Sequence, residues 1–272
     1  MNKCAGLRRR TPVSPWSKFG AATLLSIALS AGHTAEAAPG DDAKEILKKM
    51  TDYVAAQQTI SATVDTDVEV ITPDLQKIQF TNSGQVFLNR PDKLRANRLG
   101  GYADVELVFD GRILSILGKH LNSYAQIDAP GTIDEMVARL RAGTGAAVPG
   151  ADLLLTRAYE ELTADVTDAK HIGQGVIGGI ECDHLAFRTP EVDWQLWVRT
   201  GANPIPCKYV ITSKTVAGAP QYTVLIKEWR TDAPADANAF EFRPPEGATK
   251  VAAESFQNID EIPPGVGPEG RR

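Results

Sequence analysis

The sequence predicts a mainly β fold of the α+β class, with roughly ten antiparallel strands, one helix in front and one or two inserted halfway. Three observations carry this. Between Ile60 and Thr72 apolar residues alternate with polar ones, as in a long strand with one wet face. Asp110–Gly111 separates two further alternating runs, the strongest short-range hairpin signal. Four runs, 180–188, 192–199, 205–214 and 221–229, follow one another across short turns and read as an antiparallel meander. Such a sheet must bury its other face. The helices are few, so the sheet is expected to curl around them.

The elements follow in order. Arg8, Arg9 and Arg10 precede a mostly apolar run from Phe19 to Ala31, and small residues at A-x-A spacing follow at Ala35 and Ala37. These are the parts of a cleavable signal peptide, here residues 1–37, which predicts an exported, periplasmic protein. The apolar run is shorter than the roughly 20 residues of a spanning helix, so no transmembrane segment is expected in the mature chain. Asp41 to Gln57 carries Ile46, Met50, Tyr53 and Val54 at helical spacing behind an acidic start that suits the helix dipole. Strands are expected at 60–72, 76–89 with a bend near Ser83–Gly84, 94–99, 105–109, 113–117 and 122–127. Thr132 and Glu135 form a capping box ahead of a helix striped by Ile133, Met136, Val137 and Leu140. The glycines at 143–150 break the chain, and strands resume from about Leu162. Phe240 and Phe242 flank an expected terminal strand. Residues 38–259 read as a single domain, and 260–272, with three prolines and three glycines, as a flexible tail.

Charge narrows the partners. Removing Lys3, Arg8, Arg9, Arg10, Lys18 and Glu36 with the leader leaves 24 basic against 33 acidic side chains, a formal charge of −9. That balance disfavours nucleic acid and anionic membrane surfaces. The run Arg90, Lys93, Arg95 and Arg98 reads as a solvated strand face. Cys182 and Cys207 lie near the ends of strands separated by one intervening strand. Flat strands two apart sit about 9–10 Å from each other, too far for a disulfide without a loop or twist. A bridge and two buried thiols both remain open for this pair.

Catalytic signatures are missing from the sequence. It contains no G-x-S-x-G elbow, phosphate-binding loop or H-E-x-x-H. The glycines of 173–179 fit a hairpin turn or bulge, and His184 a hydrogen-bonded place on a sheet face. No catalytic residue, metal or cofactor is expected.

The later strands carry a resemblance. Asp193-Trp194-Gln195-Leu196-Trp197-Val198, Asn203-Pro204-Ile205-Pro206, Tyr222 to Trp229, and Phe240-Glu241-Phe242-Arg243-Pro244-Pro245-Glu246-Gly247 occur in this order. Upstream stand Arg90-Pro91-Asp92-Lys93-Leu94-Arg95 and Asp110-Gly111-Arg112. Together they resemble an uncharacterised family of predicted periplasmic proteins related to the bacterial lipoprotein carriers (LolA/LppX-like). The resemblance implies a strongly curved antiparallel sheet of ten to eleven strands, an open half-barrel with helices plugging its concave side. It also implies a non-enzymatic carrier of a lipid, acyl chain or other hydrophobic ligand, with a lipoprotein or a membrane docking protein as further partner. The alternative is an envelope scaffold or protein-interaction module reusing the fold. One apolar face of the strands, with the plugging helices, supplies the expected lining: Val64, Val68, Phe80, Phe87, Leu107, Phe109, Met136, Leu140, Leu185, Phe187, Trp194, Leu196, Leu225 and Trp229. Trp194 and Trp197 must face opposite ways if their strand is regular.

Overall fold

Helix α1 (Pro39–Ala55) begins with Asp41 and Asp42 in its first turn and buries Ala43, Leu47, Met50 and Val54 completely. Each of the three larger side chains contributes about 1.5–3 kcal/mol of burial. That stripe lies on strands β7 (Asp168–Ile177), β8 (Ile180–Arg188) and β9 (Val192–Arg199). The computed structural model describes residues 39–102, 104–144, 150–231 and 238–253, all within the unit Ala37–Arg272. The expected leader at 1–37 and tail at 260–272 lie outside the described residues.

After α1 come the long strands β1 (Thr59–Ile71) and β2 (Lys77–Asn89), paired along their whole length. Strands β3 (Lys93–Gly100), β4 (Asp104–Phe109), β5 (Ile113–Gly118) and β6 (Ser123–Asp128) continue the meander. The β4–β5 turn is built as its sequence suggests. Gly111 takes φ +90°, and Asp110 Oδ1 accepts hydrogen bonds from the Arg112 and Ile113 amides at 2.9 and 2.7 Å. Helix α2 (Ile133–Thr144) starts at the capping box: the Thr132 amide donates to Glu135 Oε2 at 2.7 Å, and the Glu135 amide to Thr132 Oγ1 at 3.3 Å. A 3-10 turn (Ala151–Leu154) and the short α3 (Ala158–Thr163) lead into β7. Strands therefore resume later than expected, at Asp168, because Leu162 is buried in α3. Strands β10 (Pro206–Ser213) and β11 (Gln221–Arg230) return the chain to β1. As expected, β7 carries a bulge between His171 and Gly173, and Gly178–Gly179 turn into β8.

All strands belong to one sheet, ordered β12-β6-β5-β4-β3-β2-β1-β11-β10-β9-β8-β7. This corrects the expected fold class. Among the described residues the sheet has twelve strands, its ends do not pair with each other, and it is mixed, since β12 (Thr249–Lys250) runs parallel to β6. It is an open sheet and not a strongly curved antiparallel half-barrel. The expected curl assumed too few helices to cover one face. In fact α1, α2, α3 and the 3-10 turn share a single buried cluster with the strands, so the helices cover that face themselves. The terminal strand is also corrected. Residues 241–245 have no regular structure, and only Thr249–Lys250 pair, because the two prolines at 244–245 lack amide donors. The segment instead crosses the other face of the sheet as a strap. Phe240 stacks on Phe87 at 5.0 Å, Phe242 tilts against Tyr124 at 5.4 Å, and Arg95 donates to the Ala239 carbonyl at 3.0 Å.

Candidate ligand-binding cavity

Cross-strand register makes room on the helix-covered face. Trp229, Ala62, Val86, Ala96 and Leu107 form one rung across β11, β1, β2, β3 and β4. Ile226, Val64, Gly84 and Arg98 form the next. Alanine, glycine and valine at the centre of these rungs leave the floor low. Met136, Val137 and Leu140 of α2, with Leu153 and Leu154 of the 3-10 turn, roof it over. The result is a cavity of about 380 Å³ with mostly apolar walls, within the range of small-molecule sites.

A bulge decides which β11 residues face this space. Thr63 pairs with Glu228 but Val64 with Ile226, so Lys227 is the extra residue. Trp229 therefore shares a face with Ile226, Val224 and Tyr222, whereas Leu225 points to the other side. In a regular strand Leu225 and Trp229 would have been on the same face.

Of the fourteen expected lining residues, Val64, Leu107, Met136, Leu140 and Trp229 line this cavity. Val68 and Phe80 pair with each other on the same face beyond its end, where Phe80 meets Tyr102 edge-on. Phe109 is fully buried. Leu185, Phe187, Trp194 and Leu196 form close-packed core with α1 nearby, with Phe187 stacked on Trp194 at 3.9 Å. Phe87 and Leu225 lie on the opposite face. Ala62, Gly84, Val86, Ala96, Thr66 and Arg98 line the cavity without having been expected to. Their only sequence signal is the small size of four of them, and it becomes legible only once register sets them side by side.

The basic run divides in the same way. Lys93 and Arg95 face the strap side, where Arg95 pairs with Glu106 at 2.6 Å and Lys93 donates to the Asp110 carbonyl. Arg98, three residues on from Arg95, has the opposite parity and lines the cavity. Arg90 is half-buried and donates to the carbonyls of Gln57 at 3.1 Å and Leu154 at 2.7 Å. It thereby ties the end of α1 to the 3-10 turn above the cavity. A single solvated face is thus not what these four residues form.

Beside the roof sits a buried acid. Burial raises the Asp152 carboxyl above the usual carboxylate range, against the opposing pull of Arg141. Tyr209 Oη donates to its Oδ2 at 3.4 Å, and burial with this neighbour raises the phenol as well. Elsewhere, His184 hydrogen-bonds Gln195 at 2.9 Å and stacks on Trp197 at 4.1 Å. Trp197 and Trp194 do occupy opposite faces. Cys182 and Cys207 are free thiols, both buried, and interact side chain to side chain. Burial and the neighbouring sulfur push Cys207 up to about 12. Among the described residues no three His, Cys, Asp or Glu side chains group as a metal site would require, and no helix is long and apolar enough to cross a membrane.

The family described as "Predicted periplasmic protein (DUF2092)" matches residues 43–253. The chain belongs to this family. Among solved structures, this DUF2092 member is similar to an uncharacterised conserved protein from Thermus thermophilus, at 13% identity and TM-score 0.48 over 78% of this chain and 99% of that one. LprF from Mycobacterium bovis is similar at 13% identity and TM-score 0.46, over 74% and 97%. The Pseudomonas aeruginosa MucA/MucB complex contributes a match at 12% identity and TM-score 0.41, over 74% and 61%. No match was found among curated proteins.

Proposed function

We propose that this DUF2092 protein is a periplasmic, non-enzymatic carrier or binding protein for a lipid, acyl chain or other hydrophobic ligand. The observation that carries the reading is the cavity of about 380 Å³ between the sheet and α2, roofed by apolar side chains. Each methylene sheltered from water there gains about 0.8 kcal/mol, so an acyl chain would leave an aqueous compartment for such a space. In this reading residues 1–37 are the export leader and 38–259 the binding domain.

The test is native mass spectrometry of the protein recovered from its own envelope fraction, followed by organic extraction. A stoichiometric hydrophobic species that leaves on denaturation is expected. A bare protein that also refuses phospholipids, fatty acids and acylated peptides would sink the proposal. It would favour the scaffold reading, for which one observation speaks. Ile172, Val176 and Ile180, 42–65% exposed, lie on or beside the edge strand β7, whose outer side pairs with no strand among the described residues.

A further inference from the structure

From the packing of two thiols we infer that Cys182 and Cys207 are joined by a structural disulfide in the exported protein. The inference goes beyond the carrier reading and rests on export alone.

The sheet brings the pair together against the regular spacing of its strands. Cys182 on β8 pairs with Arg199 of β9. On the other side of β9, Pro206 pairs with Val198 and Lys208 with Trp197, so Cys207 is an extra residue at the start of β10. Two strand steps span about 9–10 Å, beyond the reach of a disulfide. A bulge bends its strand and raises the local twist, and here the two side chains meet. Cys182 is 0% exposed and Cys207 4%. Each thiol also donates to a main-chain carbonyl, Cys182 to Ile180 at 3.5 Å and Cys207 to Ile205 at 3.9 Å. A thiol is a weak donor, so a bridge gives up little. The Ile205 carbonyl keeps its bond from the Arg199 amide at 2.9 Å.

The compartment supplies the chemistry. Disulfides form and persist in the bacterial periplasm. A metal does not compete for the pair, because among the described residues no three His, Cys, Asp or Glu side chains group together. Formation is an exchange with the exposed disulfide of an oxidoreductase in that compartment. One cysteine thiolate attacks that disulfide and displaces one oxidoreductase thiolate. The other cysteine sulfur then attacks the mixed disulfide and releases the second. Cys182 and Cys207 lose two electrons and two protons, and the oxidoreductase gains them as a dithiol. Thiolate is the reactive species. Burial and the neighbouring sulfur hold the Cys207 thiol up at about 12, so exchange is slow once the strands have closed. The bond is therefore made during folding, and burial then shields it from reductants. It closes a loop that contains the whole of β9, whose Trp194, Leu196 and Val198 lie in the core. Pinning β8 to β10 fixes that strand between them.

The test is peptide mapping of the protein recovered from its native envelope fraction, denatured with a thiol-alkylating reagent and no reductant, then cut with trypsin. The chain is cut after Lys170, Arg188, Arg199 and Lys208, so a bridge joins peptide 171–188 to peptide 200–208. That cross-linked species is expected in nearly all molecules, and reduction is expected to release both peptides. Alkylated Cys182 and Cys207 before reduction, or either cysteine bound to another chain or to Cys4, would overturn the inference. A second measurement follows opening of the bond by dithiothreitol. In the folded protein it is expected to be at least about tenfold slower than in urea. Equal rates would show an exposed, exchangeable bond and overturn its structural role. Neither result bears on ligand binding, so the carrier reading stands or falls separately. Recovery of the protein from the cytoplasm alone would overturn export, and the bond with it.

Discussion

At Ala96 the cavity exists because of atoms the side chain lacks. The residue pairs with Val86 on one side and Leu107 on the other, facing the roof of α2. Ala96→Leu is expected to place its branched end in the free volume rather than in packed atoms. The thermal midpoint should stay level or rise, and affinity for a hydrophobic probe should fall at least tenfold. Calorimetric titration beside a thermal melt checks both. A loss of stability with unchanged affinity would show that the space closes in solution. The same scale explains why alternation alone misplaced residues. Leu225 and Trp229 differ by four in number yet occupy opposite faces, because Lys227 is an extra residue in the ladder.

At the scale of elements, two features of the roof each make a distinct prediction. Thr132 caps α2 in a reciprocal box with Glu135. Thr132→Ala should cost about 1 kcal/mol of stability in denaturant unfolding, and should weaken ligand retention, because Met136, Val137 and Leu140 ride on that helix. The 3-10 turn responds to pH through Asp152. Burial raises this carboxyl in the folded state, so the folded chain holds its proton to higher pH than the unfolded chain does. Stability from this group is therefore complete below the ordinary carboxylate range and is lost as pH rises through the folded value. Asp152→Asn keeps the shape and an oxygen for Tyr209 to donate to, but cannot ionise. Its melting temperature relative to wild type should rise between pH 4 and pH 7. A difference that does not change with pH would show that Asp152 keeps its charge in the folded protein.

For the whole molecule, the two faces of the sheet do different work. Helices and cavity occupy one face, and the strap from Asn238 to Ala253 crosses the other. Phe240 is 7% exposed and stacked on Phe87. Phe240→Ala should destabilise the fold by about 3 kcal/mol while leaving ligand affinity in the still-folded protein unchanged, measured by chemical denaturation and titration. A large loss of affinity would mean that the strap side shapes the cavity through the sheet.

Much of the strand order was legible locally. Ile60 to Thr72, the Asp110–Gly111 turn and the Thr132–Glu135 box each specify themselves, because pleat period, turn dihedrals and cap hydrogen bonds involve neighbours within a few residues. Helix α1 was legible for the same reason, although its fully buried stripe is Ala43, Leu47, Met50 and Val54, and Ile46 and Tyr53 of the expected stripe are only partly buried. Sequence by itself thus determined most of the strands, the helices α1 and α2, and that one face of the sheet is apolar; it misplaced the start of β7 and the terminal strand. Only the tertiary structure decided that the sheet stays open with twelve strands and that β12 joins β6 in parallel. It alone decided that small residues from β1, β2 and β3 meet beside Arg98. Those outcomes depend on register, on one bulge and on contacts more than a hundred residues apart in the chain. No local preference encodes them; they are fixed when the buried face is filled and the polar groups of each strand find partners.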